Sequence, residues 1–159
     1  MANLNRALRR KQSGAAAIEF AMLFMLFFVL FYALVTYAIL FLLQSSFVFA
    51  ATEGARSAIA IDPMAYSSTV QYTTQGVINQ VKATVGKALS WMPDHIRTRV
   101  LGTNNSNVVV NVVGNSLTVR VVYSNYNSTP VIPILNIPGY GPMLPMPLNL
   151  QGNATINLV

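Results

Sequence analysis

The apolar positions along the chain follow three different rules. Residues 20–43 form a run of 24 residues without a charge, in which only Tyr32, Thr36 and Tyr37 carry a polar atom. A helix needs about 20 apolar residues to cross a bilayer core, whereas the apolar part of a cleaved secretory signal has about 7–15. The run therefore predicts a transmembrane helix. Small-residue sites at Ala50, Ala51 and Thr52 lie too far from the basic flank to serve a signal peptidase. Helical spacing continues through Phe47, Val48, Ala50, Ala51, Ala55, Ala58 and Ile59, with one Gly and no Pro. Asp62 and Pro63 then combine a favoured cap with a favoured first helical position. The pattern predicts one long helix over residues 15–61 and a new element after it.

The second rule is amphipathic. Val70, Thr74, Val77, Ile78, Val81, Val85, Ala88, Leu89 and Met92 recur at helical spacing, predicting a helix over residues 63–92 with Lys82 and Lys87 facing water. Gly76 and Gly86 each weaken it by about 1 kcal/mol relative to Ala. Trp91 is expected in the core. Pro93 ends the helix, and Asp94 and His95 are expected in a solvated turn.

The third rule is alternation. Val108, Val109, Val110, Val112 and Val113 are β-branched, Gly114 and Asn115 give a two-residue hairpin signal, and Leu117, Val119, Val121 and Tyr123 alternate with other residues. These predict a hairpin of residues 107–113 and 116–124, with a third strand near 153–158. Six of the eight prolines fall within residues 130–147, which limits regular pairing there. That stretch is expected to be an extended loop over apolar surface or, alternatively, an adhesive or partner-docking strip. The fold class is thus α+β: a long N-terminal transmembrane helix continuing into a domain with a second helix and a small antiparallel sheet.

Composition sharpens this picture. Of 159 residues, 53% are hydrophobic and 9% charged, and the mean hydropathy is +0.49. Soluble domains carry about 25% charged residues. The net charge of +6 is concentrated early, since Arg6, Arg9, Arg10 and Lys11 all precede the first acidic residue, Glu19. Past residue 14, six basic and four acidic residues remain, a net +2. A basic stretch before an apolar run sets membrane orientation, with the N-terminus cytoplasmic, so no nucleic-acid partner is expected. With no cysteine, disulfides and thiolate chemistry are excluded. One histidine and four acidic residues offer little for metal binding or acid–base work, and no phosphate loop, zinc motif or nucleophile elbow is present. No metal, no cofactor and no enzymatic activity are expected.

Glu19 does not suit a plain anchor, because a carboxylate at the edge of hydrocarbon is costly unless it snorkels, protonates or pairs. One reading makes it an interfacial acid favoured by the helix N-terminus. The other comes from residues 9–20, RRKQSGAAAIEF. This string resembles the processing signal of type IV prepilins and pseudopilins: a basic leader ending in Gly, a cut, and Glu as the fifth mature residue of an apolar helix. The resemblance implies a leader of residues 1–14, cleaved between Gly14 and Ala15, with Glu19 as that fifth residue and Phe20 beside it. Glycine leaves the backbone open to a protease. A carboxylate near the new ammonium, in cis or on a neighbouring subunit, lowers the desolvation cost of both charges and can set axial register.

Residues 51–58 read ATEGARSA, a Gly-Ala-Arg motif after an acidic residue. Together with the signal, and with the strands and Pro-rich stretch that follow, this is similar to the TadE-like family of tight-adherence pilus proteins. That resemblance implies a pseudopilin or minor pilin taking part in pilus assembly or initiation. A prepilin peptidase, other pilins or pseudopilins, the assembly platform and the lipid bilayer are the implied partners. The implied location is the bacterial inner membrane, with residues 62–159 as a periplasmic α+β head and possible incorporation into an extracellular pilus. Glu53, Gly54 and Arg56 are candidate subunit contacts. Glu53 and Arg56 lie three apart, so an exposed intrahelical pair is the plainer account. The alternative function is an unprocessed single-pass envelope scaffold or adhesin. A third is an anchored accessory of an envelope hydrolase.

Overall fold

The long apolar run folds as expected into a helix, α1 (Ala2–Ile59). The computed structural model describes residues 2–137, 139 and 141–158, and side chains for residues 14–136, 139 and 141–158. The side chains of the expected leader before Gly14, including Arg6, Arg9, Arg10 and Lys11, lie outside the described ones, as do Pro138 and Tyr140. The chain divides into two compact units, Met1–Ile39 and Leu40–Val159.

The described part of the first unit is helical, and its large apolar side chains are exposed, among them Phe20, Met22, Met25, Phe27 and Leu34 at 60–70%. Phenylalanines one turn apart stack at centroid distances of 6.0 Å (Phe20 with Phe24), 6.5 Å (Phe24 with Phe28) and 6.0 Å (Phe27 with Phe31). Such a surface is unstable in water, because each side chain of this size gains about 1.5–3 kcal/mol on leaving it. Residues Gly14–Ile59 are long and apolar enough to cross a membrane, which anchors the chain there.

The second unit starts inside α1. Leu40, Leu43, Phe47, Ala50, Ala51, Ala55 and Ala58 are buried, so the last five turns of the helix belong to the core of the head. The helix ends at Ile59, two residues earlier than expected, and Asp62 caps the next element. Asp62 Oδ1 accepts from the Met64 amide at 2.9 Å, and Pro63 takes the first position of a 3-10 turn, Pro63–Ala65.

Here the structure corrects the single amphipathic helix over residues 63–92. The helical stretch begins after a new cap, Ser68, with α2 (Thr69–Gln71), passes through a π-helical segment (Tyr72–Val77) and continues as α3 (Ile78–Ala88). Gly76, in the π-helical segment, and Gly86, in α3, are where other side chains press against this stretch. A Cβ on Gly76 would lie 2.9 Å from the Tyr66 ring, and one on Gly86 would collide with the amide of Asn105, which donates to the Lys82 carbonyl at 2.9 Å. Val77, Val81, Val85, Leu89 and Met92 form the buried stripe as expected, but Val70 is 70% exposed. Trp91, expected in the core, is also exposed. After Pro93 the chain forms a helix, α4 (Asp94–Leu101), where a turn was expected. Pro93 supplies extended geometry before it (φ −55°, ψ 142°), and Ile96, Val100 and Leu101 pack inward. Those apolar residues were too few to signal a helix by periodicity.

The sheet is close to expectation. β1 (Val109–Val113), β2 (Ser116–Tyr123) and β5 (Leu150–Asn157) pair antiparallel in the order β1-β2-β5. The hairpin register sets Val113 opposite Ser116 and Val110 opposite Val119. Of the two turn residues only Gly114 has positive φ (56°), the arrangement that suits a type II′ turn. Leu117, Val119, Val121 and Tyr123 face the core, while Thr118 and Arg120 face out beside β5. Gly152 of β5 faces the core opposite α1, where a Cβ would run into the Phe47 and Val48 backbone. In the Pro-rich stretch the only regular pairing among the described residues is a two-residue ribbon of β3 (Asn136–Ile137) and β4 (Gly141–Pro142).

Candidate functional site: the N-terminal half of the long helix

Gly14, Ala15, Glu19 and Phe20 all lie on α1 and are all exposed. Among the described residues, nothing lies within 4 Å of the position a Gly14 Cβ would occupy. Ala15 and Glu19 are four residues apart, so they sit on one face, one turn from each other. Among the described residues no hydrogen bond or ion pair satisfies the Glu19 carboxylate. Helical geometry thus puts the single acidic side chain of residues 14–52 directly above the first residue after Gly14.

The second candidate group lies at the other end of α1. Glu53 Oε1 and Arg56 Nη1 are 3.7 Å apart, with 39% and 71% of their side chains exposed. This is the exposed intrahelical pair that the spacing implied, worth a few tenths of a kcal/mol at about 0.3–0.5. Gly54 is different. It is buried, and a Cβ there would fall 2.7 Å from Val85 Cγ2 and 3.3 Å from Val81 Cγ1. Ala55, beside it, is fully buried. The Gly-Ala-Arg motif therefore splits: Gly54 seats α1 on α3, Ala55 is buried within the head, and Glu53 and Arg56 are left on the surface. Reading the motif as a whole missed this division. The signal was available in the spacing of Ala50, Ala51, Gly54, Ala55 and Ala58, small residues on one helical face, which let a neighbouring helix approach closely.

Asp94 and His95 lie side by side in the sequence but are held differently. Asp94 accepts from Arg97 Nη2 at 2.5 Å, and both Asp94 and His95 are exposed on the first turn of α4.

Comparison with curated proteins and with solved structures gave no match. A match does exist at the level of families, and it falls on the segment that holds both candidate groups. Residues 14–56, from the glycine of the expected cut to the arginine of the Gly-Ala-Arg motif, match the family of TadE-like proteins, the family that RRKQSGAAAIEF and ATEGARSA resemble.

Proposed function

We propose that the chain is a pseudopilin or minor pilin of a tight-adherence pilus. It is inserted with its N-terminus in the cytoplasm, cut by a prepilin peptidase between Gly14 and Ala15, and drawn through α1 into the pilus or its initiation complex. The head, which is residues 62–159 packed on the last turns of α1, lies in the periplasm before assembly. The chain is a substrate of an enzyme and does not itself catalyse a reaction.

The observation that carries this reading is Glu19, an exposed carboxylate with no partner among the described residues, one turn from Ala15 on an apolar helix. A permanent anchor has no need of a carboxylate there, since at the edge of hydrocarbon it must snorkel, protonate or pair. A subunit that leaves the membrane to join a filament does gain, because the ammonium created at Ala15 supplies the missing partner in cis or on a neighbour. The basic leader and the match to TadE-like proteins over residues 14–56 support the same reading.

Replacing Glu19 by Ala separates anchoring from assembly. Membrane insertion and cleavage should be unchanged, while the amount of this subunit recovered in sheared pili, or of pili formed, should fall severalfold. Unchanged recovery would remove Glu19 from assembly.

A further inference from the structure

The head carries an open cleft of about 890 Å³ that the assembly reading does not use. Its walls come from the end of α4, the loop leading into β1, the outer face of the sheet and the turns after β2. Two cations line it, Arg99 and Arg120, together with neutral hydroxyl and amide groups such as Asn107, Asn125, Ser128 and Thr129. Among the described residues no carboxylate lines it.

Residues 62–159 hold five basic and two acidic side chains, a net +3. One of the acids, Asp94, is engaged by Arg97. Among the described residues neither Arg99 nor Arg120 has an ion-pair partner. Arg120 Nη2 donates to Gln151 Oε1 at 2.9 Å, which orients the guanidinium and leaves most of its five N–H donors available. A soluble surface usually intersperses charges of both signs. In a segment where Arg120 is the only charge after residue 100, two unpaired guanidinium groups in one cleft are a local excess of positive charge.

The walls are fixed before any ligand arrives. Asn107 Nδ2 donates to the Arg99 carbonyl at 3.3 Å, and its own amide donates to the Leu101 carbonyl at 2.8 Å. The Tyr123 hydroxyl donates to the Thr129 carbonyl at 2.6 Å. The Asn125 amide donates to Asn149 Oδ1 at 3.0 Å, which holds Asn125 at a φ of 55°. A wall held by such bonds loses little entropy when it binds.

We infer that this cleft binds an acidic oligosaccharide, its carboxylates against Arg99 and Arg120 and its hydroxyls against the amide and hydroxyl lining. A guanidinium matches a carboxylate as a two-pronged, charge-assisted donor. Neutral groups that both donate and accept, set beside apolar Val109 and Val122, complement a sugar's hydroxyls and carbons better than they complement a bare polyanion, which offers acceptors only. The inference is independent of cleavage at Gly14.

The test titrates the full-length chain in detergent with a galacturonate trimer, using as controls the uncharged galactose trimer and a linear polyphosphate of equal charge. The trimer should bind, with affinity falling as salt is raised, and the galactose trimer should bind at least about tenfold more weakly, a difference of about 1.4 kcal/mol. R99Q/R120Q should weaken trimer binding at least about tenfold, R99K/R120K should recover part of the loss, and K82Q/K87Q should leave it unchanged. Unfolding midpoints of all variants should match the parent, since both arginines are exposed. Absence of trimer binding, equal binding by R99Q/R120Q, or polyphosphate binding as tightly as the trimer would each overturn the assignment.

Discussion

Gly54 of α1 and Val85 of α3 approach so closely that a Cβ on the glycine would fall 2.7 Å from Val85 Cγ2. A helical Gly→Ala change ordinarily gains about 0.5–1 kcal/mol, so this contact reverses the usual sign. Gly54→Val should destabilise the head by about 1–3 kcal/mol through overpacking, read as a lower denaturant midpoint of the detergent-solubilised chain. Replacing Glu53 and Arg56 together by Gln should change it by no more than about 0.5 kcal/mol, because that pair is exposed. Equal effects would mean that the motif is not divided between core and surface.

The contact between Gly152 and the Phe47 and Val48 backbone is less forgiving, because backbone atoms cannot rotate away. Gly152→Ala should reach the upper part of the overpacking range of about 1–3 kcal/mol. Loss of the folded head at lower denaturant, with the N-terminal helix signal retained, is the expected result.

The two faces of the sheet should respond in opposite ways. Leu117 is fully buried, so Leu117→Ala should cost about 2–5 kcal/mol. Val113 is 67% exposed, so Val113→Ser should stay within about 0.5 kcal/mol. Thermal unfolding of the two variants side by side checks the register of the hairpin.

Much of this fold was legible in the sequence where the physical signal is long or repeated. The run of residues 20–43, the alternation through Leu117, Val119, Val121 and Tyr123, and the Gly114 turn each left one structural solution. The stretch from Pro63 to Leu101 was less legible because its causes are contacts distant in sequence. Gly76 and Gly86 read as weak points in a helix, yet they are where Tyr66 and Asn105 enter. Short α4 follows from three apolar residues and a proline, too little to separate a helix from a turn. The TadE-like character of residues 14–56 was legible through resemblance, and helical geometry alone brings Ala15 and Glu19 onto one face. The cleft of Arg99 and Arg120 was not legible, since those residues are 21 apart and line one cleft only because α4 packs against β2.

Substitution at Gly14 distinguishes a processed subunit from a permanent anchor. Gly14 is exposed, with nothing near its Cβ site among the described residues, so Gly14→Leu should leave folding of the head unchanged. It should nevertheless block cleavage and trap the full-length chain in the membrane, visible as a single slower band on electrophoresis. A simple tethered scaffold would tolerate the change with no effect on its length or location.

The most direct measurement is the N-terminal sequence and intact mass of the native protein, isolated from membranes that contain the prepilin peptidase and from membranes that lack it. The account predicts a chain starting at Ala15 in the first and at Met1 in the second. A chain still starting at Met1 where the peptidase is active would contradict it.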